Sequence, residues 1–161
     1  DLYHKNNNRW EYVNTGRPQG LVNQALLIEN MNTELREFKI FLPLYDGIKT
    51  IEIGVDSNCE IKKPKKNNKK PIVFYGTSIT QGGCASRPGM AHTNIISRKL
   101  DIDCINFGFS GNGRMEQPIA ELISEIDPLF YIIECMPNMF PANNVTNNTI
   151  PLVDKIREKN S

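Results

Sequence analysis

Histidine is scarce in this chain of 161 residues: His4 and His92 are the only two, and they lie far apart. The four cysteines, Cys59, Cys84, Cys104 and Cys135, form no Cys-x-x-Cys pair and do not cluster with histidine. Protein sites for zinc and related metals need such clusters, so a metal site is not expected; no cofactor is expected either. No apolar run approaches the roughly 20 residues of a membrane span. Basic and acidic residues nearly cancel, 19 against 18, leaving a formal charge of +1. No global field therefore draws the chain to nucleic acid or to a membrane surface. Two phosphate and nucleophile signatures are also missing. No lysine follows Gly82, as a phosphate-binding P-loop requires. Thr80 stands where the second glycine of a Gly-x-Ser-x-Gly elbow would be. The opening Asp1-Leu2-Tyr3-His4-Lys5 is no secretory signal and reads as a start inside a longer protein. The compartment stays open, with secretion or the periplasm among the readings.

What is present falls into two textures. In residues 1–62 Phe38, Ile40 and Leu42 alternate with polar neighbours, as do Ile51, Ile53 and Val55. That period of two marks half-buried strands. Asp46-Gly47 between them predicts a hairpin turn. Leu26-Leu27-Ile28 and Trp10-Glu11-Tyr12-Val13 are further short strand candidates, and together they predict part of an antiparallel β-sandwich. Residues 63–70 are lysine-rich, with one proline and no aromatic residue. Without aromatic platforms for bases, that run is expected to be a solvated linker rather than a nucleic-acid site.

From 71 to 161 the pattern alternates β and α. Ile72 to Tyr75 is a continuous apolar run of the kind buried on both faces of a parallel sheet, Ile105-Asn106-Phe107 and its neighbours predict a second strand, and Leu129 to Cys135, again apolar, a third. Helices are predicted from near Ala91 to Leu100, from Pro118 to Ile126, and after Asn148-Thr149-Ile150-Pro151 with Leu152, Val153 and Ile156 on the apolar face. The fold class is therefore α/β: part of a three-layer α/β/α sandwich on a parallel sheet, preceded by part of a β-sandwich. Three strands ending on a helix predict a sheet that continues past Ser161.

In such sheets ligands bind beyond the carboxyl ends of the strands. The first strand ends in Gly76-Thr77-Ser78-Ile79-Thr80-Gln81-Gly82-Gly83, which places a serine on a strand-to-helix turn. The second ends in the glycine-rich Gly108-Phe109-Ser110-Gly111-Asn112-Gly113, where backbone can approach a ligand closely. The third ends in Glu134-Cys135-Met136-Pro137-Asn138, whose asparagine amide can donate to an oxyanion.

These three blocks, in this order, resemble the SGNH hydrolase superfamily, also called GDSL esterases and lipases. Gly76-Thr77-Ser78-Ile79-Thr80 matches its first block, with Thr77 in place of the usual aspartate. Ser110-Gly111 matches the second, and Asn138 the asparagine of the third, in the altered setting Met136-Pro137-Asn138-Met139. The resemblance implies a flavodoxin-like SGNH fold and acyl transfer. Ser78 would be the nucleophile, and Gly111 and Asn138 would join the Ser78 N–H in holding the oxyanion. The β-rich start, with Asp1-Leu2-Tyr3, resembles the end of the jelly-roll domain, named for a Gly-x-Asp-Leu-Tyr motif, that precedes some SGNH catalytic domains. Several such enzymes are carbohydrate acetyl esterases, which implies a small-molecule or carbohydrate ester as the partner.

The family's base comes from an Asp-x-x-His block near the C-terminal end of the domain. The one such spacing here, Asp1-Leu2-Tyr3-His4, lies in the β segment at the opposite end, with none after Ser78. The catalytic aspartate and histidine are expected beyond Ser161, and this fragment alone is expected to be inactive. His92 reads as a capping or surface residue, and His4 as part of the β segment. Arg87 and Arg114 are rim candidates, and Glu134 reads as the partner of a rim arginine or a solvated strand end. The competing readings are a lipase or thioesterase on the same scaffold, and a noncatalytic glycan-binding protein with a degenerate hydrolase fold. Oligomeric state is not legible.

Overall fold

The computed structural model describes residues 1–65 and 67–160. Lys66, inside the expected linker, and Ser161 lie outside the described residues.

The chain opens with an antiparallel sheet of three strands in the order β2-β1-β3: β1 (Leu2–Asn6), β2 (Arg9–Asn14) and β3 (Phe38–Ile40). The β1–β2 hairpin turns on Asn7 and Asn8, both at positive φ (46° and 62°), which asparagine tolerates better than most residues. The expected turn at Asp46-Gly47 does not form a hairpin, and neither residue takes a positive φ. Leu26–Ile28 and Ile51–Val55 are likewise not strands. Alternation states which side chains could face a layer, but a strand exists only where a neighbour supplies the ladder of hydrogen bonds. Among the described residues nothing pairs with these segments, and Ile51, Ile53 and Val55 remain exposed. The β-sandwich expected for residues 1–62 is thus represented by one small sheet.

The small sheet sits against the second part of the chain through specific polar contacts. Lys5 Nζ donates to Asp101 Oδ2 at 2.7 Å, and Trp10 Nε1 to Asp101 Oδ1 at 3.0 Å. The buried carboxylate of Asp1 accepts the Gly89 N–H at 2.6 Å and the Thr15 hydroxyl at 2.6 Å.

The second part is α/β, as expected. Parallel strands β4 (Ile72–Gly76), β5 (Cys104–Gly108) and β6 (Phe130–Glu134) lie in the order β5-β4-β6. Every residue of β4 is buried, which fits its unbroken apolar sequence. Two crossovers carry α1 (Ser78–Gln81) with α2 (His92–Leu100), then α3 (Gln117–Ser124); α4 (Asn143–Arg157) follows β6. Val73 and Tyr75 join Ala120, Ile123, Leu152 and Ile156 in the main core on the side of α3 and α4. Phe74 faces the other way, its ring edge-on to His92 of α2 with centroids 5.8 Å apart. Helices therefore cover both faces. Each fully buried Val, Ile or Phe contributes about 1.5–3 kcal/mol to this arrangement.

One helix departs from the expectation. α4 begins at Asn143 rather than at Asn148, so Pro151 lies inside it. The bond that proline cannot donate would have gone to the carbonyl of Asn147, an exposed residue that water can serve. The Thr149 hydroxyl meanwhile donates to the Val145 carbonyl at 2.6 Å. The solvent side of the helix thus carries the proline where its cost is smallest.

Candidate active site

β4 is the centre of its sheet: the chain moves from it to β5 on one side and then crosses to β6 on the other. That reversal puts a topological switch point at the carboxyl end of β4, the position where open α/β sheets bind ligands. Ser78 stands there as the first residue of α1, partly exposed, and its hydroxyl makes no hydrogen bond among the described residues. The turn before it is closed by Thr77, in extended conformation, whose side chain accepts the Ile79 N–H at 3.2 Å. Gly82 ends α1 in the left-handed region at φ 106°, where a side chain would also strike Leu44 and Ala91.

The loop after β5 folds back on this turn. Phe109 N–H donates to the Gly76 carbonyl at 2.9 Å, and Asn112 N–H to the Phe109 carbonyl at 3.0 Å. Gly111 (φ 72°) is exposed with open space around it, whereas Gly113 (φ 69°) presses on the backbone of Gly76 and Thr77. Asn138, in a 3₁₀ turn after β6, donates through its amide to the Asn112 carbonyl. Hydrogen bonds and backbone packing thus bring the loop of Gly111 against both the Ser78 turn and Asn138.

The other side chains singled out from sequence sit differently. His4 Nε2 lies 3.3 Å from Glu11, and His92 packs on Phe74; among the described residues neither hydrogen-bonds Ser78. His92 is at the first position of α2 and forms no capping bond. Arg87 stacks its guanidinium 4.2 Å above Tyr12 and lies 3.6 Å from Asp1, tied to the N-terminal strands. Arg114 does belong to the loop, donating to the Gly111 carbonyl at 3.0 Å. Among the described residues Glu134 pairs with no arginine. Its Oε2 accepts the hydroxyls of Thr77 at 2.7 Å and Thr80 at 3.0 Å.

Two further residues were not singled out from sequence. Gln81 donates from Nε2 to the Leu44 carbonyl at 3.0 Å and accepts the Ser110 N–H at 2.8 Å. It therefore spans from the N-terminal segment to the loop of Gly111. Tyr75, fully buried, donates its hydroxyl to Glu116 just past that loop. Burial first, and then the Glu116 carboxylate, push the phenol far above its usual range, so it stays a donor at any ordinary pH. Both signals are long-range contacts that no local pattern carries. Among the described residues no cluster of His, Cys, Asp or Glu could hold a metal, and no helix is long and apolar enough to cross a membrane.

A serine on the turn after the central strand is flanked by a glycine loop and an asparagine at the neighbouring strand ends. Comparison with known proteins gives the family. The GDSL-like lipase/acylhydrolase family matches residues 69–161, and the N-terminus of SGNH-type esterases, the GxDLY segment, matches residues 1–61. The chain belongs to the GDSL-like lipase/acylhydrolase family. A crystal structure described as a GDSL-like lipase from Bacteroides ovatus ATCC 8483 is similar, at 43% identity and a TM-score of 0.92 over 99% of this chain. This chain spans 47% of that protein, somewhat under half its length. Among curated proteins no match is found.

Proposed function

We propose that this chain carries the nucleophile and oxyanion-binding half of a serine esterase that removes small acyl groups, acetyl above all, from carbohydrate. The supporting observation is the position of Ser78: first residue of α1, at the carboxyl end of the central strand, its hydroxyl free. Ser78 Oγ attacks the ester carbonyl as a histidine takes its proton, and water later cleaves the acyl-enzyme. The backbone N–H groups of Ser78 and Gly111 and the amide of Asn138 receive the negative charge on the carbonyl oxygen. Removing one such donor typically costs about 3 kcal/mol, on the order of 10²–10³ in rate. The histidine and its aspartate belong to residues beyond this chain in this reading. No metal or cofactor takes part.

The test is hydrolysis of p-nitrophenyl acetate by the protein expressed to its natural stop codon, beside Ser78→Ala. Turnover that vanishes in the variant, and that falls as the acyl chain lengthens, supports an acetyl esterase, with acetylated glycans the next substrates. A preference for long acyl chains moves the reading to a lipase. Equal background rates in both folded proteins move it to glycan binding without catalysis.

A further inference from the structure

We propose that Glu134 is a positioning residue for Ser78, fixing the turn that carries the serine through the hydroxyls of Thr77 and Thr80. The proposal rests on the reading of Ser78 as nucleophile. One carboxylate oxygen, Oε2, collects the Thr77 hydroxyl at 2.7 Å, the Thr80 hydroxyl at 3.0 Å and the Thr77 N–H at 3.3 Å. These donors lie on either side of Ser78, one residue before it and two after. Both threonines are 1% exposed, so their hydroxyls have no water to turn to. Thr77 passes the constraint on, since its oxygen also accepts the Ile79 N–H at 3.2 Å.

The close approach is built into the sheet. Gly76 and Glu134 are register partners on β4 and β6, and a side chain on Gly76 would collide with the Thr80 hydroxyl and the Glu134 carbonyl. The Thr77 N–H donates to that same carbonyl at 3.1 Å. Moving the turn that carries Ser78 therefore breaks at least one hydrogen bond to the Glu134 carboxylate.

The experiment uses the protein expressed to its natural stop codon, with Glu134→Ala, Glu134→Gln, Thr80→Val and Ser78→Ala. Active serines are titrated with a fluorophosphonate, and kcat and KM for p-nitrophenyl acetate are measured per titrated site together with Tm. Glu134→Ala is expected to lose about 10- to 100-fold in kcat, as misplaced reacting groups do. KM should stay within about twofold, because substrate contacts are untouched. Glu134→Gln keeps an acceptor oxygen and should recover to within about fivefold of the parent. Thr80→Val, nearly isosteric, should fall between them. A lower Tm with an unchanged kcat per titrated site in Glu134→Ala assigns the residue to stability alone and overturns the proposal. If Glu134→Ala does not fold, a parental kcat in Thr80→Val overturns it instead. Turnover that persists in Ser78→Ala sinks the serine reading and the proposal with it, whereas Ser78-dependent turnover indifferent to Glu134 sinks the proposal alone.

Discussion

The Tyr75 hydroxyl donates to the Glu116 carboxylate, and the Glu116 backbone N–H donates back to the Tyr75 oxygen at 3.1 Å. The same carboxylate accepts the Arg114 N–H at 2.8 Å. One buried phenol on the central strand thus anchors the far end of the loop that begins after β5 and holds Gly111. The near end is anchored on the same strand, through Phe109 N–H and the Gly76 carbonyl. Loop conformation is in this way referred to β4, the most buried strand of the molecule.

Tyr75→Phe removes that anchor and leaves Glu116 short of a donor. A loss of about 1–3 kcal/mol is expected in urea unfolding near neutral pH. The loss should shrink in acid. Burial pushes the Glu116 carboxyl up, but the Tyr75 hydroxyl, the N–H groups of the loop and the Arg114 charge outweigh it, and the net shift is downward. A lowered carboxyl stabilises the fold above the ordinary value of 4.5, and that contribution disappears as pH falls through the lower folded-state value. Parent and variant should therefore converge below pH 4.5. A gap that stays constant with pH would show that Glu116 is not the group coupled to Tyr75.

Asp101→Asn tests how the first sheet is held. Asp101 caps α2 in the left-handed region, φ 51°, and accepts from both Lys5 and Trp10. The bond from Lys5 lowers its pKa below the carboxylate norm, despite partial burial. Asparagine tolerates the backbone angle, so only the charge and one acceptor are lost. The ion pair is partly exposed, and its loss is expected to cost about 0.5–1.5 kcal/mol. Trp10 is the single tryptophan, so its fluorescence reports on the hairpin. In the variant its transition should precede the far-UV signal; coincident transitions in both proteins would mean the contact carries no docking energy.

The parallel sheet could be read from sequence because β4 is an unbroken apolar run and β6 is apolar up to Ile133, and all three strands appear within a residue or two of their expected places. Burial on both faces is a local compositional signal. The first part of the chain could not be read as well, because Ile51, Ile53 and Val55 declare an apolar face but not the neighbour that would make it a strand. Asn7-Asn8, a weaker turn signal than Asp46-Gly47, makes the hairpin because the strands beside it have partners. Ser78, Gly111 and Asn138 were nameable as candidates because they sit in motif blocks at strand ends. Glu134, Gln81 and Tyr75 were not placed, since each acts through a contact at least 29 residues away.

Thiol reactivity should divide the cysteines into two pairs. Cys135 is fully buried at the end of β6, with its sulfur 3.9 Å from the Tyr75 carbonyl oxygen, and Cys104 is half-buried. Burial raises both thiols to about 11. Cys59 and Cys84 are exposed. Iodoacetamide at neutral pH should label the exposed pair at least about tenfold faster, as read by mass spectrometry of the folded protein. Labelling of Cys135 as fast as Cys84 would contradict the packing of β6 against β4.

Gly111 and Gly113 look alike in sequence and in backbone angle, yet their surroundings differ. At φ 72° and 69° both occupy the left-handed region, so an alanine at either position costs about 1–2 kcal/mol for the backbone alone. At Gly111 the new methyl would meet nothing within 4 Å. At Gly113 it would strike the Gly76 carbonyl and stand 3.1 Å from the Thr77 nitrogen, both backbone atoms that cannot swing aside. Gly113→Ala should therefore lose about 1–3 kcal/mol more than Gly111→Ala in urea unfolding, the usual penalty of overpacking. The clash also falls on the turn that carries Ser78, so Gly113→Ala should lower Ser78-dependent hydrolysis even well below its unfolding transition. Equal losses of stability in the two variants would mean that the loop yields, and that close packing on Gly76 does not fix its place beside the serine.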